Sequence, residues 1–259
     1  MTHIDKVRIL FEGMAGRDAE RATRFIDPGR YVEHDPRIGD GVEGLKRYIG
    51  GLSPDDRLEL VRAFGDGDFV VTQASGQVGG AGTFFDVFRF EHGLVVEHWG
   101  FSSPAGPPNR SGHTQVDGPV EARSDVDTSR TKALVRSYYE TVHLAGRRDR
   151  ISDFMPGDVQ IRHEPGVADG VAEFLRDLEV ITRDRTIDEI RLLIGEGDFV
   201  FLVARGTHRG APCAYVDLYR VEDDRLVEHW GFPQPIPPDD QLKNRNGMLG
   251  SSGTAREDA

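Results

Sequence analysis

A block of sequence that occurs twice restricts this chain to folds that can be built as two like units. Val96-Glu97-His98-Trp99-Gly100-Phe101 returns unchanged as Val227-Glu228-His229-Trp230-Gly231-Phe232. Gly65-Asp66-Gly67-Asp68-Phe69-Val70 returns as Gly195-Glu196-Gly197-Asp198-Phe199-Val200, and Phe85-Asp86-Val87-Phe88-Arg89 as Val216-Asp217-Leu218-Tyr219-Arg220. His34-Asp35-Pro36 returns as His163-Glu164-Pro165. Partners lie 129 to 131 residues apart. Solenoid units repeat every ~20–50 residues, so this period marks a duplicated domain. The 259 residues suit two domains of about 100–150 residues each. The expected layout is copy 1 over residues 1–104, a linker arm over 105–129, copy 2 over 130–240 and a tail over 241–259. The tail's last stretch is expected to be disordered.

Each copy reads as helices followed by strands, an α+β plan. Ile4, Val7, Leu10, Phe11 and Met14 fall at helical spacing, as do Leu134, Val135, Tyr138, Tyr139 and Val142. A second helix is expected from Ala19 to Ile26. Asp40 with Glu43 three residues on suggests a capping box for a third, and Asp169 is placed to cap its counterpart. Strands are expected at Leu58–Phe64, Phe69–Gln77, Gly82–Phe90 and Leu94–Phe101, and again at Ile187–Ile194, Phe199–Gly206, Cys213–Val221 and Leu226–Phe232. Between the copies, Ser102 to Arg130 is proline-rich and polar, a crossing arm.

Charge narrows the partners. The chain has 32 basic and 44 acidic residues, net −12. Nucleic acid demands a basic face, so it is excluded as an expected partner, and an anionic membrane surface is disfavoured for the same reason. No apolar run approaches the ~20 residues of a membrane span. Met1-Thr2-His3-Ile4-Asp5-Lys6 lacks a signal peptide's basic-then-apolar layout, so a cytoplasmic location is expected. Cys213, the single cysteine, reads as a small strand residue; an intrachain disulfide and a cysteine-based zinc cluster are excluded.

The chemistry sits in the last hairpin of each copy. A three-residue loop at Glu91-His92-Gly93 would set Asp86 opposite His98; the same loop at Glu222-Asp223-Asp224 would set Asp217 opposite His229. A two-residue loop would set the tryptophans opposite the aspartates instead. An aspartate beside a histidine orients the ring and favours the imidazolium. His34 and His163 are candidates for a third pocket group. Trp99 and Trp230, with Glu97 and Glu228, alternate with the histidines and point to the other face. His34, His98 and Asp86 could in principle hold a metal, but no metal-ligand spacing appears, and no P-loop, GxGxxG setting or Gly-x-Ser-x-Gly elbow is present. No cofactor is expected.

The order of helices, then a sheet ending in Asp86-Val87-Phe88-Arg89 and Val95-Val96-Glu97-His98-Trp99-Gly100-Phe101, resembles the SnoaL-like branch of the nuclear transport factor 2-like superfamily. So do Gly195–Gly206, Ala214–Trp230, Gln234–Pro238 and Lys243–Leu249, and Ser111–Pro119 looks like the arm carried by tandem members. The resemblance covers residues 4–250. It implies two cone-shaped α+β barrels, each a curved antiparallel sheet wrapped around helices and enclosing a mostly apolar pocket. It also implies pairing of the copies as an internal pseudo-dimer, or a homodimer, and cofactor-free proton transfer of the cyclase, isomerase or dehydratase kind. Relatives often carry an aspartate directly after the tryptophan, where this chain has Gly100 and Gly231. Catalysis would then rest on His34, Asp86 and His98, or on His163, Asp217 and His229. The resulting expectation is an acid–base enzyme of specialised metabolism whose histidine removes a proton beside the carbonyl of an apolar small molecule. The alternative is a non-catalytic binding or assembly module. Copy 1, rich in phenylalanine, is expected to be the more crowded inside.

Overall fold

The computed structural model describes residues 1–250 apart from 156, 159 and 182, so the expected disorder at the extreme C-terminus lies outside the described residues. Two units are present. One comprises Met1–Ala105 together with the segment from Pro237; the other is Gly106–Ile236. The chain after the first sheet therefore belongs to the second unit, and the chain after the second sheet belongs to the first.

In unit 1, α1 (His3–Gly16) starts at a Thr2–Asp5 capping box and buries Val7, Leu10 and Phe11. α2 (Ala19–Ala22) approaches it at Gly13, where a Cβ would lie 2.6 Å from Ala22 Cα. This helix is shorter than its expected span, because the chain turns after Ala22 and Ile26 bridges to Val95. α3 (Gly41–Gly50) buries Leu45 and Ile49. Its expected capping box does not form. The Asp40 carboxylate instead accepts from Arg245 N at 3.1 Å and Asn246 Nδ2 at 3.2 Å.

β1 (Val32–Glu33), β2 (Arg57–Asp66), β3 (Phe69–Gln77), β4 (Ala81–Glu91) and β5 (Leu94–Pro104) form one sheet, order β1-β5-β4-β3-β2. β1 runs parallel to β5 and the other pairs are antiparallel, so the sheet is mixed where an antiparallel one was expected. Alternation sends Phe84, Phe88 and Phe90 into a core with Leu10, Phe11, Leu45 and Ile49.

Unit 2 repeats the plan. α4 (Thr128–Tyr138) runs into a π-helical turn, Tyr139–Leu144. β6 (Ile161–Arg162) and α5 (Val171–Ile181) precede β7 (Arg185–Glu196), β8 (Phe199–His208), β9 (Ala211–Glu222) and β10 (Arg225–Pro235). The sheet order is β6-β10-β9-β8-β7, with β6 parallel to β10. Cys213 is buried in β9. No helix among the described residues is long and apolar enough to cross a membrane.

The arm of each unit repeats a short motif, Asn109-Arg110-Ser111-Gly112 and Asn244-Arg245-Asn246-Gly247. Asn109 Nδ2 donates to Arg162 O at 2.6 Å and Asn244 Nδ2 to Asp35 O at 2.7 Å, so each asparagine ties its arm beside the short parallel strand.

Candidate functional site

Both hairpins solve the register in a way that neither expected loop does alone. The loops hold two residues: Glu91 pairs with Leu94 and Glu222 with Arg225. His92 and Gly93 have φ of 51° and 78°, Asp223 and Asp224 of 49° and 59°, the left-handed pair a tight hairpin turn needs. An irregularity then skips one residue, Val96 in β5 and Val227 in β10. That extra residue moves the register by one more step. Asp86 ends opposite Gly100, and Asp217 opposite Gly231, not opposite the histidines. Two one-residue steps restore the face, so Asp86 meets His98 diagonally and the pair survives the corrected register.

In unit 1 the diad becomes a chain of four groups. His98 Nε2 lies 3.1 Å from Asp86 Oδ1, and His98 Nδ1 lies 2.8 Å from Glu33 Oε1. Tyr31 Oη donates to Glu33 Oε2 at 2.6 Å, and Asp35 N donates to Glu33 Oε1 at 2.8 Å. Asp35 in turn grips Arg37 through its Nε and Nη2. Burial works against charge on His98, but the Glu33 and Asp86 carboxylates outweigh it and hold its pKa up at about 10. The ring is an imidazolium at neutral pH and spends both N–H groups on carboxylates. In that state it has no lone pair with which to take a proton.

These groups end one side of an open cavity. It encloses about 520 Å³ including its mouth. Leu10, Phe11, Leu45 and Phe84 line the apolar walls; Asp35, Arg37, Asp86 and His98 supply the polar end. Phe88 stacks on His98 with centroids 4.7 Å apart. Glu33, Asp35 and Arg37 are not legible from sequence, because β1 holds only two residues and shows no alternation of its own.

His34 and His163 do not join the pocket. Side chains alternate along an extended strand, so Glu33 and Asp35 turn inward while His34 turns to the opposite face. There it stacks on Trp99 at 5.0 Å and its Nε2 meets Glu97 Oε1 at 3.0 Å. His163 stacks on Trp230 at 4.5 Å and its Nε2 meets Glu228 Oε1 at 2.9 Å.

Unit 2 keeps the diad and adds a tyrosine to it. His229 Nε2 lies 2.8 Å from Asp217 Oδ1 and its Nδ1 2.9 Å from Glu164 Oε1. Burial opposes the charges on both members of the last pair, yet their attraction prevails, raising His229 to about 9 and lowering Glu164 to about 2. The second Asp217 oxygen is taken by the Tyr139 hydroxyl. Tyr139 and Tyr219 stand where unit 1 has Phe11 and Phe88, and the Arg185 guanidinium lies 3.9 Å over the Tyr215 ring. Burial, and then Arg185, lower the nearby His143 to about 3. The tyrosine of copy 2 thus places a hydroxyl on a carboxylate oxygen where copy 1 has a phenylalanine.

The glycines after the tryptophans have a steric reason. A Cβ at Gly100 would overlap the Asp35 carboxylate and lie 3.0 Å from Asp35 Cβ; one at Gly231 would lie 2.5 Å from Asp217 Oδ1 and 2.8 Å from His229 Nε2. Asp35 cannot retreat, since Glu33 and Arg37 hold it. Gly100→Ala is expected to cost ~1–3 kcal/mol through overpacking, read as a fall in the urea midpoint. An unchanged midpoint would show Asp35 to be free to move.

Residues 7–98 match the SnoaL-like domain family. No protein of curated function matches the chain. Among solved structures, an NTF2-like protein of unknown function from Cytophaga hutchinsonii is 13% identical, over 40% of this chain and 92% of its own, with a TM-score of 0.36. IdmH from Streptomyces antibioticus, a suggested polyketide cyclase, is 22% identical over 40% and 93%, TM-score 0.35. A suggested ketosteroid isomerase from Kribbella flavida is 19% identical over 47% and 91%, TM-score 0.36.

Proposed function

We propose that the first unit, whose residues 7–98 match the SnoaL-like domain family, is a cofactor-independent acid–base catalyst acting on an apolar, carbonyl-containing small molecule. The observation that carries the reading is an apolar cleft ending in a carboxylate, Asp86, that is held by a charged, buried imidazolium. Asp86 is the proton acceptor. A proton bonded to the carbon beside the ligand's carbonyl passes to the Asp86 oxygen that His98 does not occupy. The C–H electron pair moves to the carbonyl oxygen, giving an enolate. Arg37, whose Nε and Nη2 are already fixed by Asp35, donates to that oxygen. Preorganised donors of this kind need no rearrangement as charge develops. Asp86 then returns the proton to another carbon in an isomerisation, or to a departing hydroxyl in a dehydration; in a cyclisation the enolate carbon attacks a second carbonyl, whose oxygen takes the electron pair and then the proton from Asp86.

Unit 2 has a structural role in this reading, because Tyr139 occupies the carboxylate oxygen that a substrate proton would need. The test requires no known product. Apolar β-diketones and enones in D2O are followed by proton NMR for loss of the signal beside the carbonyl. Protein-dependent exchange supports catalysis. Saturable binding of these compounds without exchange would support the binding-module reading instead.

A further inference from the structure

We propose that unit 2 carries a zinc-type divalent metal site made by His113, Asp117 and His163, lying across the β10 strand from Asp217 and independent of the acid–base reading. Ligand atoms of the three lie within 4.8 Å of one another. His163 Nδ1 is 2.7 Å from Asp117 Oδ1, and His113 Nδ1 is 3.3 Å from Asp117 Oδ2. The Thr114 carbonyl oxygen, 2.9 Å from His163 Nδ1, is a fourth donor at hand. A cation about 2.0–2.2 Å from each donor takes the place of the direct contacts after small side-chain rotations.

The outer partners carry the argument. Metal-bound histidines usually donate their second ring N–H to a carboxylate, which fixes the tautomer and turns the other nitrogen's lone pair to the ion. Both histidines have such a partner on Nε2: Glu228 Oε1 at 2.9 Å for His163 and Asp169 Oδ2 at 3.0 Å for His113. Those carboxylates are held in turn. Glu228 Oε2 accepts from Arg220 Nε at 2.6 Å, and Asp169 Oδ1 from Arg162 N at 3.0 Å. The arm that brings His113 and Asp117 is anchored as well. Asn109 Oδ1 accepts from His113 N at 3.0 Å, and Trp230 Nε1 donates to Asp117 O at 3.0 Å. Gly118 follows with φ of 91°, where a Cβ would lie 2.8 Å from the Trp230 ring. Two imidazoles and a carboxylate suit zinc and its neighbours better than magnesium or calcium. The ion would staple the arm to the tryptophan face of the sheet.

Unit 1 supplies an internal control. His34 keeps the stacking on tryptophan and the glutamate partner, but the arm residue aligned with His113 is Met248, and His34 Nδ1 meets the Gly247 carbonyl at 2.7 Å.

The experiment uses the full chain without an affinity tag. Zinc is titrated against a competing chelator, with cobalt(II) visible absorption as a second readout. The wild type should take up one tight equivalent and melt at a higher temperature with zinc. Asp169→Asn should weaken binding by roughly 10–100-fold, as loss of an outer partner does; His113→Asn and Asp117→Asn should weaken it by more. His34→Gln should leave it unchanged. The proposal is overturned if the wild type takes up no zinc, if His113→Asn and Asp117→Asn bind it as tightly as wild type, or if His34→Gln abolishes binding. In the first of these outcomes the cluster is a hydrogen-bonded clamp on the arm.

Discussion

Asp86→Asn should lose ~10²–10⁴-fold in the exchange of protons beside a ligand's carbonyl, the range expected when a positioned acid–base group is removed. Binding of the same ligand should persist, because the Leu10, Phe11 and Phe84 walls are untouched. The asparagine retains a carbonyl oxygen for His98 Nε2, so the ring keeps its orientation, while the anion that takes the proton is gone. Asp217→Asn should leave exchange unchanged, since Tyr139 already covers that carboxylate. The two substitutions are chemically identical and sit at the same point of the repeat. A generic loss of stability would follow either one, whereas loss of catalysis should follow only the first. Equal activity of Asp86→Asn and wild type would remove the carboxylate from the mechanism. Loss in Asp217→Asn alone would move the chemistry to unit 2.

What the sequence disclosed, and what it hid, divides along physical lines. The duplication, the helical stripes and the strand runs are local patterns, and they located nearly every element. The Asp–His pair was legible because it recurs at one spacing in both halves. Its register was not, because a one-residue bulge at Val96 or Val227 leaves no mark in a run of small β-branched residues. Glu33 and Asp35 were hidden by a two-residue strand, too short to display its own alternation. Asp40 looked like a helix cap on local grounds, and a tertiary partner, the arm at Arg245 and Asn246, won the carboxylate. Tyr139 was legible as a buried residue of the helical stripe, but its hydroxyl contact with Asp217 joins segments far apart in the chain and leaves no local mark. The arms were readable as a polar crossing segment and by resemblance at Ser111–Pro119 and Lys243–Leu249, and the repeated Asn-Arg-x-Gly motif was a further signal that each does the same work on a sheet.

His98 should make the first unit's stability fall as the solution becomes alkaline. Its folded pKa of about 10 lies above the unfolded value near 6.5. A group raised in this way contributes fully below the unfolded pKa, and its contribution drains away as pH climbs towards the folded one. The window is therefore pH 6.5 to 10, and the sign is loss with rising pH. The physical origin is the Glu33 carboxylate, wholly buried, and Asp86 beside it; neutralising the ring between them removes the positive charge that both carboxylates contact. His98→Gln creates that situation at neutral pH, and breaking a buried pair by removing one partner typically costs ~3–5 kcal/mol. Urea melts monitored by Trp99 fluorescence in a Trp230→Phe background should show the wild-type midpoint falling between pH 7 and pH 10, and a lower, flatter profile for His98→Gln. The ring itself offers the sharper measurement, since its Cε1 proton shift reports protonation directly. A titration centred near the ordinary histidine value would mean a neutral ring at physiological pH. The assignment of Asp86 as base would then fall, and the histidine would regain the role of proton acceptor.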